Sequence, residues 1–231
     1  MNVEPAWLEW EERVLVTVDQ DAFRIQLPRR TLDERLVVDG WFARDYLEGA
    51  HEPGHWSEII GAGDALHAAL AALPERLVHP LPVARTDPWA VADRIAWEEE
   101  PLPPNGAAGD RALRELIAAR RPIRLPAHVV HGDLTGNVLF AGGLVPAIID
   151  FSPYRRPPAY AIGVIVADAV VWHGADLDLL NAEAWRPSFG QCVVRALIFR
   201  HLTALVLPAR LPTGAAADRY ASLRKAAIRL S

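Results

Sequence analysis

The sequence predicts an α+β protein in which a small antiparallel-sheet part precedes a larger, mainly helical part. Three observations predict it. Phe23–Leu27 alternates apolar and polar residues as a strand does, and strand-like runs flank Asp39-Gly40. From Trp56 onward the apolar period becomes helical. Within that helical part, three short apolar runs between 127 and 149 read as buried strands.

The elements follow in order. Residues 5–18 carry tryptophans at 7 and 10 and leucines at 8 and 15 among glutamates, an amphipathic helix. Phe23–Leu27 alternates as a strand, and Leu36–Tyr46 reads as two strands around Asp39-Gly40, a pair that favours a tight hairpin turn. Pro53-Gly54 is a turn. Ile59, Ile60, Ala62, Leu66, Ala69, Leu70 and Leu73 then share one helical face, ended by Pro74. Further helices are expected over 87–100, with Asp87 as cap and Pro88 in the first turn, and over 110–120. Residues 101–106 (PLPPNG) form a loop, and strands are expected at 127–130, 138–140 and 146–149. The remainder reads as helices over 159–172, 188–207 and 215–230. The boundary falls near 47–53, dividing the chain into a partial amino-terminal lobe, 1–49, and a helical lobe, 50–231. The eight tryptophans are expected mostly as core anchors.

Composition removes several classes. A net charge of −5 argues against non-specific binding to nucleic acid or acidic membranes. Cys192 is the only cysteine, so neither an internal disulfide nor a cysteine-based metal cluster forms. No run of about 18 apolar residues is free of charge, and no signal-peptide pattern opens the chain, so a cytoplasmic protein is the expectation. A Gly-x-Ser-x-Gly elbow is missing, which leaves a hydrolase reading without its nucleophile.

The chemistry-bearing stretch is 129–154, VVHGDLTGNVLFAGGLVPAIIDFSPY. One apolar run delivers His131-Gly132-Asp133, Asn137 opens the next, and a third ends in Asp150. If the last two runs pair as a hairpin, Asn137 and Asp150 meet at one end, beside the loop carrying Asp133. Phosphoryl transfer needs such a set: a carboxylate to orient the attacking hydroxyl, and hard oxygen ligands for magnesium. Asp133 suits the first role, Asn137 and Asp150 the second. Arg155 and Arg156 are candidates for holding a phosphate or an anionic substrate.

This segment resembles the catalytic and metal-binding loops of the aminoglycoside phosphotransferase/choline kinase family, whose fold is protein-kinase-like. The wording HGDLTGNVLF with IIDFSPYRRPPAYAIGVIVADAVVWHGA is similar to an actinobacterial branch of it. The resemblance covers about residues 30–205, with Trp41–Gly49 as the interlobe hinge and Leu66-His67-Ala68 in the first large-lobe helix. It implies Asp133 as catalytic base, Asn137 and Asp150 as Mg2+ ligands, His131 as a support of the catalytic loop, ATP or GTP as donor and a small molecule as acceptor.

The chain departs from the family in three places. Only three residues separate Asp133 from Asn137, where the family has four. Pro158-Ala159-Tyr160-Ala161 has alanine where the family carries a bracing aspartate. Finally, no Gly-rich loop and no strand lysine are present; Lys225, the one lysine, stands at the opposite end. Kinase-like enzymes use those elements to cover and neutralise the phosphates. The first helix, with Glu9 and Glu12, resembles the one that follows that lysine, so the chain is expected to begin just after the missing elements. The alternatives to an active enzyme are therefore a pseudokinase-like binding protein, with a protein partner completing the small lobe, or a truncated product of such an enzyme.

Overall fold

The structure is a computed structural model that describes residues 5–82, 85–103, 110–207 and 211–231. It divides into two compact units, residues 1–84 with 127–156 and residues 85–126 with 157–231.

The first unit opens with α1 (Pro5–Leu15), which buries Leu8, Trp10, Glu11, Val14 and Leu15. Short strands follow: β1 (Arg24–Ile25), β2 (Pro28–Arg29) and β3 (Ala43–Arg44). Asp39 and Gly40 both take positive φ, +51° and +82°, and close the expected turn, with Val38 and Trp41 exchanging both backbone hydrogen bonds at 2.9 Å. The expected hairpin goes no further than that bridge. Beyond it β3 pairs antiparallel with β2, Pro28 opposite Arg44, because the preceding segment turns away at Glu34, which has φ +63°.

Next come α2 (Trp56–Ala72), ended by Pro74 as expected, and the single turn α3 (Glu75–Val78). The strands β4 (His128–His131), β5 (Val138–Leu139), β6 (Ala147–Ile148) and β7 (Pro153–Arg156) complete the unit. β5 and β6 form an antiparallel hairpin, Val138 opposite Ile148, and β1 adds in parallel to the other edge of β6. β4 pairs antiparallel with β7, from His128–Arg156 to His131–Pro153. Sequence reasoning missed β7, since Pro-Tyr-Arg-Arg shows neither an apolar run nor clean alternation.

The second unit is helical: α4 (Pro88–Ala96), α5 (Arg111–Ala119), α6 (Pro158–Val171), α7 (Asp178–Ala182), α8 (Phe189–Val206) and α9 (Ala215–Leu230). Asp87 caps α4 as expected, accepting from the Ala90 amide at 3.1 Å, and Asp110 caps α5, accepting from the Leu113 amide at 2.9 Å, each contributing about 1 kcal/mol. α8 lies at the centre, packed on α4, α5, α6 and α9. A Cβ at Gly163 would lie 3.2 Å from the Cys192 backbone, so glycine lets α6 approach α8 closely. Burial pushes the Cys192 thiol up to about 12, an inert core residue. α8 is long and apolar enough to cross a membrane, yet most of it is buried within the unit and it carries Arg195 and Arg200. The expectation that the tryptophans are mostly core anchors does not hold: only Trp10 is buried, Trp41 is 81% and Trp185 73% exposed, and the other five are half-buried. The loop expected at 101–106 lies partly outside the described residues.

Candidate active site

β4 carries His131 into the interior of the first unit, where it is fully buried. At Gly132 the chain leaves the strand, its amide donating to the Ser152 carbonyl at 2.9 Å. A Cβ there would lie 2.4 Å from the Tyr154 ring, so the turn tolerates no side chain. Asp133 follows, half-buried, and the loop folds back through Gly136, φ +83°. The short Asp133–Asn137 spacing closes in this way. The Asn137 amide nitrogen donates to the Asp133 carbonyl at 2.6 Å, and its backbone nitrogen donates to Leu134 at 2.9 Å.

Asn137 then opens the β5–β6 hairpin opposite Ile149, whose amide donates to the Asn137 carbonyl at 3.0 Å. Asp150 comes next, exposed and in the left-handed region at φ +51°. Aspartate tolerates that conformation better than most side chains. It marks a sharp exit of the backbone from the strand at the end of the hairpin.

His131 ties the two loops together. Its Nδ1 accepts from the Asp133 amide at 3.2 Å and its Nε2 pairs with the Ile149 carbonyl at 3.2 Å. Those partners assign the neutral tautomer with the proton on Nε2. The His131 amide donates to Nε2 of His67, on α2, at 3.1 Å, fixing the position from behind. Phe151 sets its ring edge-on to His131, 5.5 Å between centroids, and stacks on Trp10 of α1 at 6.4 Å.

Burial is the main reason the His131 imidazole is held below its ordinary value; the Ile149 carbonyl and the charges of Asp133 and Asp150 oppose it. The unfolded chain therefore takes up a proton that the folded site refuses. Stability is full above the ordinary histidine value of about 6.5 and falls as the pH drops below it, by up to about 1.4 kcal/mol per pH unit for this one proton. Urea midpoints between pH 7.5 and 5 are expected to show this loss and His131→Asn to flatten it. Equal pH dependence in the two proteins would remove His131 as its source.

Sequence reasoning missed Glu11. α1 turns Glu11, rather than Glu9 or Glu12, inward: Glu11 is 5% exposed and pairs bidentately with Arg44, the Nη2–Oε2 contact being 2.9 Å. Glu12 instead meets the exposed Arg30. The signal was available, since Glu11 lies on the same helical stripe as Leu8 and Leu15.

The remaining sequence candidates lie elsewhere. Arg155 stands opposite Val129, two ladder positions beyond the His131–Pro153 end, and donates to His79 at 2.6 Å with Glu75 at 3.5 Å. With His128 these groups line a cavity of about 280 Å3. Arg156 is buried and donates to the Arg155 carbonyl at 3.2 Å.

The donor set suits magnesium. The Asn137 side-chain nitrogen is committed to the Asp133 carbonyl, which leaves Oδ1 as the atom available to a cation. Among the described residues no three His, Cys, Asp or Glu side chains form a metal cage. A cation here would meet carboxylate and amide oxygens and complete its shell from phosphate and water, the ordinary way Mg2+ is held.

The sequence profile described as the phosphotransferase enzyme family matches residues 8–197. The chain belongs to that family. Phosphotransferases also supply its structural relatives. A thermostable mutant of the aminoglycoside phosphotransferase APH(4)-Ia, in a ternary complex with ADP and hygromycin B, superposes with a TM-score of 0.57 at 15% identity, over 97% of this chain and 83% of the other. The apo form of that enzyme gives 0.55 at 16% identity, over 97% and 84%. Spectinomycin phosphotransferase APH(9)-Ia, in complex with ADP and spectinomycin, gives 0.54 at 14% identity, over 97% and 80%. The fold is thus kinase-like. No curated sequence matches the chain.

Proposed function

We propose that this phosphotransferase-family protein moves the γ-phosphoryl group of ATP or GTP to a hydroxyl of a small molecule in a magnesium-dependent reaction. One observation carries the reading: a buried neutral His131 bonds the Asp133 amide with one ring nitrogen and the carbonyl preceding Asp150 with the other. Asn137 bonds to both segments, its side-chain nitrogen donating to the Asp133 carbonyl and its backbone carbonyl accepting from the Ile149 amide.

In the reaction, the Asp133 carboxylate accepts the proton of the acceptor hydroxyl as its oxygen forms the new bond to the γ-phosphorus. The bridging P–O bond breaks, and the electron pair leaves with the nucleoside diphosphate. Asp150 and Oδ1 of Asn137 would hold the cation, which would supply charge neutralisation on the phosphates. The residues of this chain do little covalent work; they position and exclude, which is where phosphoryl transfer gains its rate. Arg155 and Arg156 have no part in this scheme, Arg155 being engaged by His79 and Glu75. The acidic balance of the chain and the hygromycin B and spectinomycin bound by its structural relatives support a cationic or sugar-like acceptor.

Calorimetric titration with ATP, with and without Mg2+, tests the reading. Wild-type protein is expected to bind ATP more tightly with Mg2+, and Asp150→Asn to lose that dependence while still binding nucleotide. Binding of ATP that is indifferent to Mg2+ in both proteins would refute the metal role of Asp150.

A further inference from the structure

Arg155, a sequence candidate for holding phosphate, has no part in the reaction proposed above, yet its surroundings form a site of their own. It stands on β7 opposite Val129, toward the end of the β4–β7 ladder away from His131. There the end of α2, α3 and the two strands line a cavity of about 280 Å3. Part of the wall is apolar, made by Leu70, Val78 and Val129, all buried. Part is polar, made by Glu75, His79 and Arg155.

The charge on that wall selects the ligand. Nε of Arg155 donates to Nε2 of His79 at 2.6 Å, so the imidazole accepts and is neutral, with its proton on Nδ1. Burial first and the Arg155 charge second hold His79 below its ordinary value, with Glu75 opposing. The Glu75 carboxylate is 3.5 Å from Nη2 and its side chain is 79% exposed, so water screens the pair. Arg200, by contrast, is closed by both oxygens of the buried Asp168. The neutral ring of His79 fixes the Arg155 guanidinium without cancelling its charge. Three of its five N–H groups remain after the His79 and Glu75 contacts.

One positive charge, partly offset by Glu75, suits a monoanion better than a phosphate dianion. A planar guanidinium matches a carboxylate, whose two oxygens accept parallel N–H groups. The apolar wall offers the rest of the ligand a surface to cover, and the small volume restricts it to a few carbons. We propose that this cavity binds a small carboxylate with a short apolar tail, the carboxylate on Arg155 and the tail against Leu70, Val78 and Val129. The site uses none of Asp133, Asn137 and Asp150, so it stands or falls independently of the phosphotransferase reading.

Hexanoate is the probe. Hexanamide keeps the tail without the charge, and inorganic phosphate keeps charge without the tail. NMR titration at neutral pH follows the ring signals of His79. Hexanoate should shift them saturably, with an affinity about tenfold or more above either control. Arg155→Met should weaken hexanoate about tenfold or more, the value of one or two charge-assisted hydrogen bonds, and Arg155→Lys should recover part of the loss. Glu75→Gln, at an exposed position, should tighten hexanoate by removing the competing carboxylate, and it decides the matter if Arg155→Met fails to fold. Hexanoate that binds no better than hexanamide or phosphate, leaves the His79 signals unmoved, or binds Arg155→Met as it binds wild type would overturn the site. So would the absence of any gain in Glu75→Gln.

Discussion

Asp133→Asn is expected to lower kcat by about two to four orders of magnitude, the usual contribution of a positioned general base, with little change in the melting temperature. The substitution keeps the shape of the side chain and leaves the backbone contacts in place. The Asp133 amide still donates to His131 and the Asp133 carbonyl still accepts from Asn137. What is lost is the ability to take the hydroxyl proton. Release of ADP from Mg·ATP measures this, first with water as a slow acceptor and then with hydroxylated small molecules. Nucleotide affinity should stay within a few-fold of wild type, because Asp133 acts on the acceptor. A variant with wild-type turnover would show that the proton goes elsewhere.

The largest expected effect on stability lies in the second unit. Arg200 on α8 donates to both carboxylate oxygens of Asp168 on α6, Nε to Oδ1 at 2.8 Å and Nη2 to Oδ2 at 2.5 Å. Their side chains are only 8% and 10% exposed. Asp168→Ala takes away the bidentate partner of a buried guanidinium and should cost about 3–5 kcal/mol. Asp168→Leu with Arg200→Met should recover most of that loss, because it removes both charges together. Urea unfolding followed by tryptophan fluorescence measures both. A cost below about 1 kcal/mol for Asp168→Ala would place the pair among solvated ion pairs.

Much of this architecture was legible in the sequence, for identifiable physical reasons. α2, α6, α8 and α9 are long enough for helical periodicity to be plain, and Asp87 and Pro88 marked where α4 begins. Strands of two residues are another matter. β1 finds β6 in parallel across more than a hundred positions of sequence, and β3 chooses β2 over its neighbour across the Asp39-Gly40 turn. Nothing local selects those partners; packing does.

The site followed the same division. Apolar runs and the oxygen-bearing residues at their ends were visible in the sequence, while a supporting role for His131 came only from the family resemblance. The contact of His67 with the His131 amide was hidden, because it joins elements distant in sequence. Glu11 was readable by its helical stripe, but its partner Arg44 was not, since β3 supplies only two residues.

The account depends on Asp150 and Asn137 sharing one cation beside Asp133. Crystals grown with Mn2+ and AMP-PNP, with anomalous data collected at the manganese edge, test that arrangement directly. The expected result is a peak within coordination distance of an Asp150 carboxylate oxygen and of Oδ1 of Asn137, bridged to the nucleotide's phosphates. A bound nucleotide whose manganese peak lies away from both residues would contradict it.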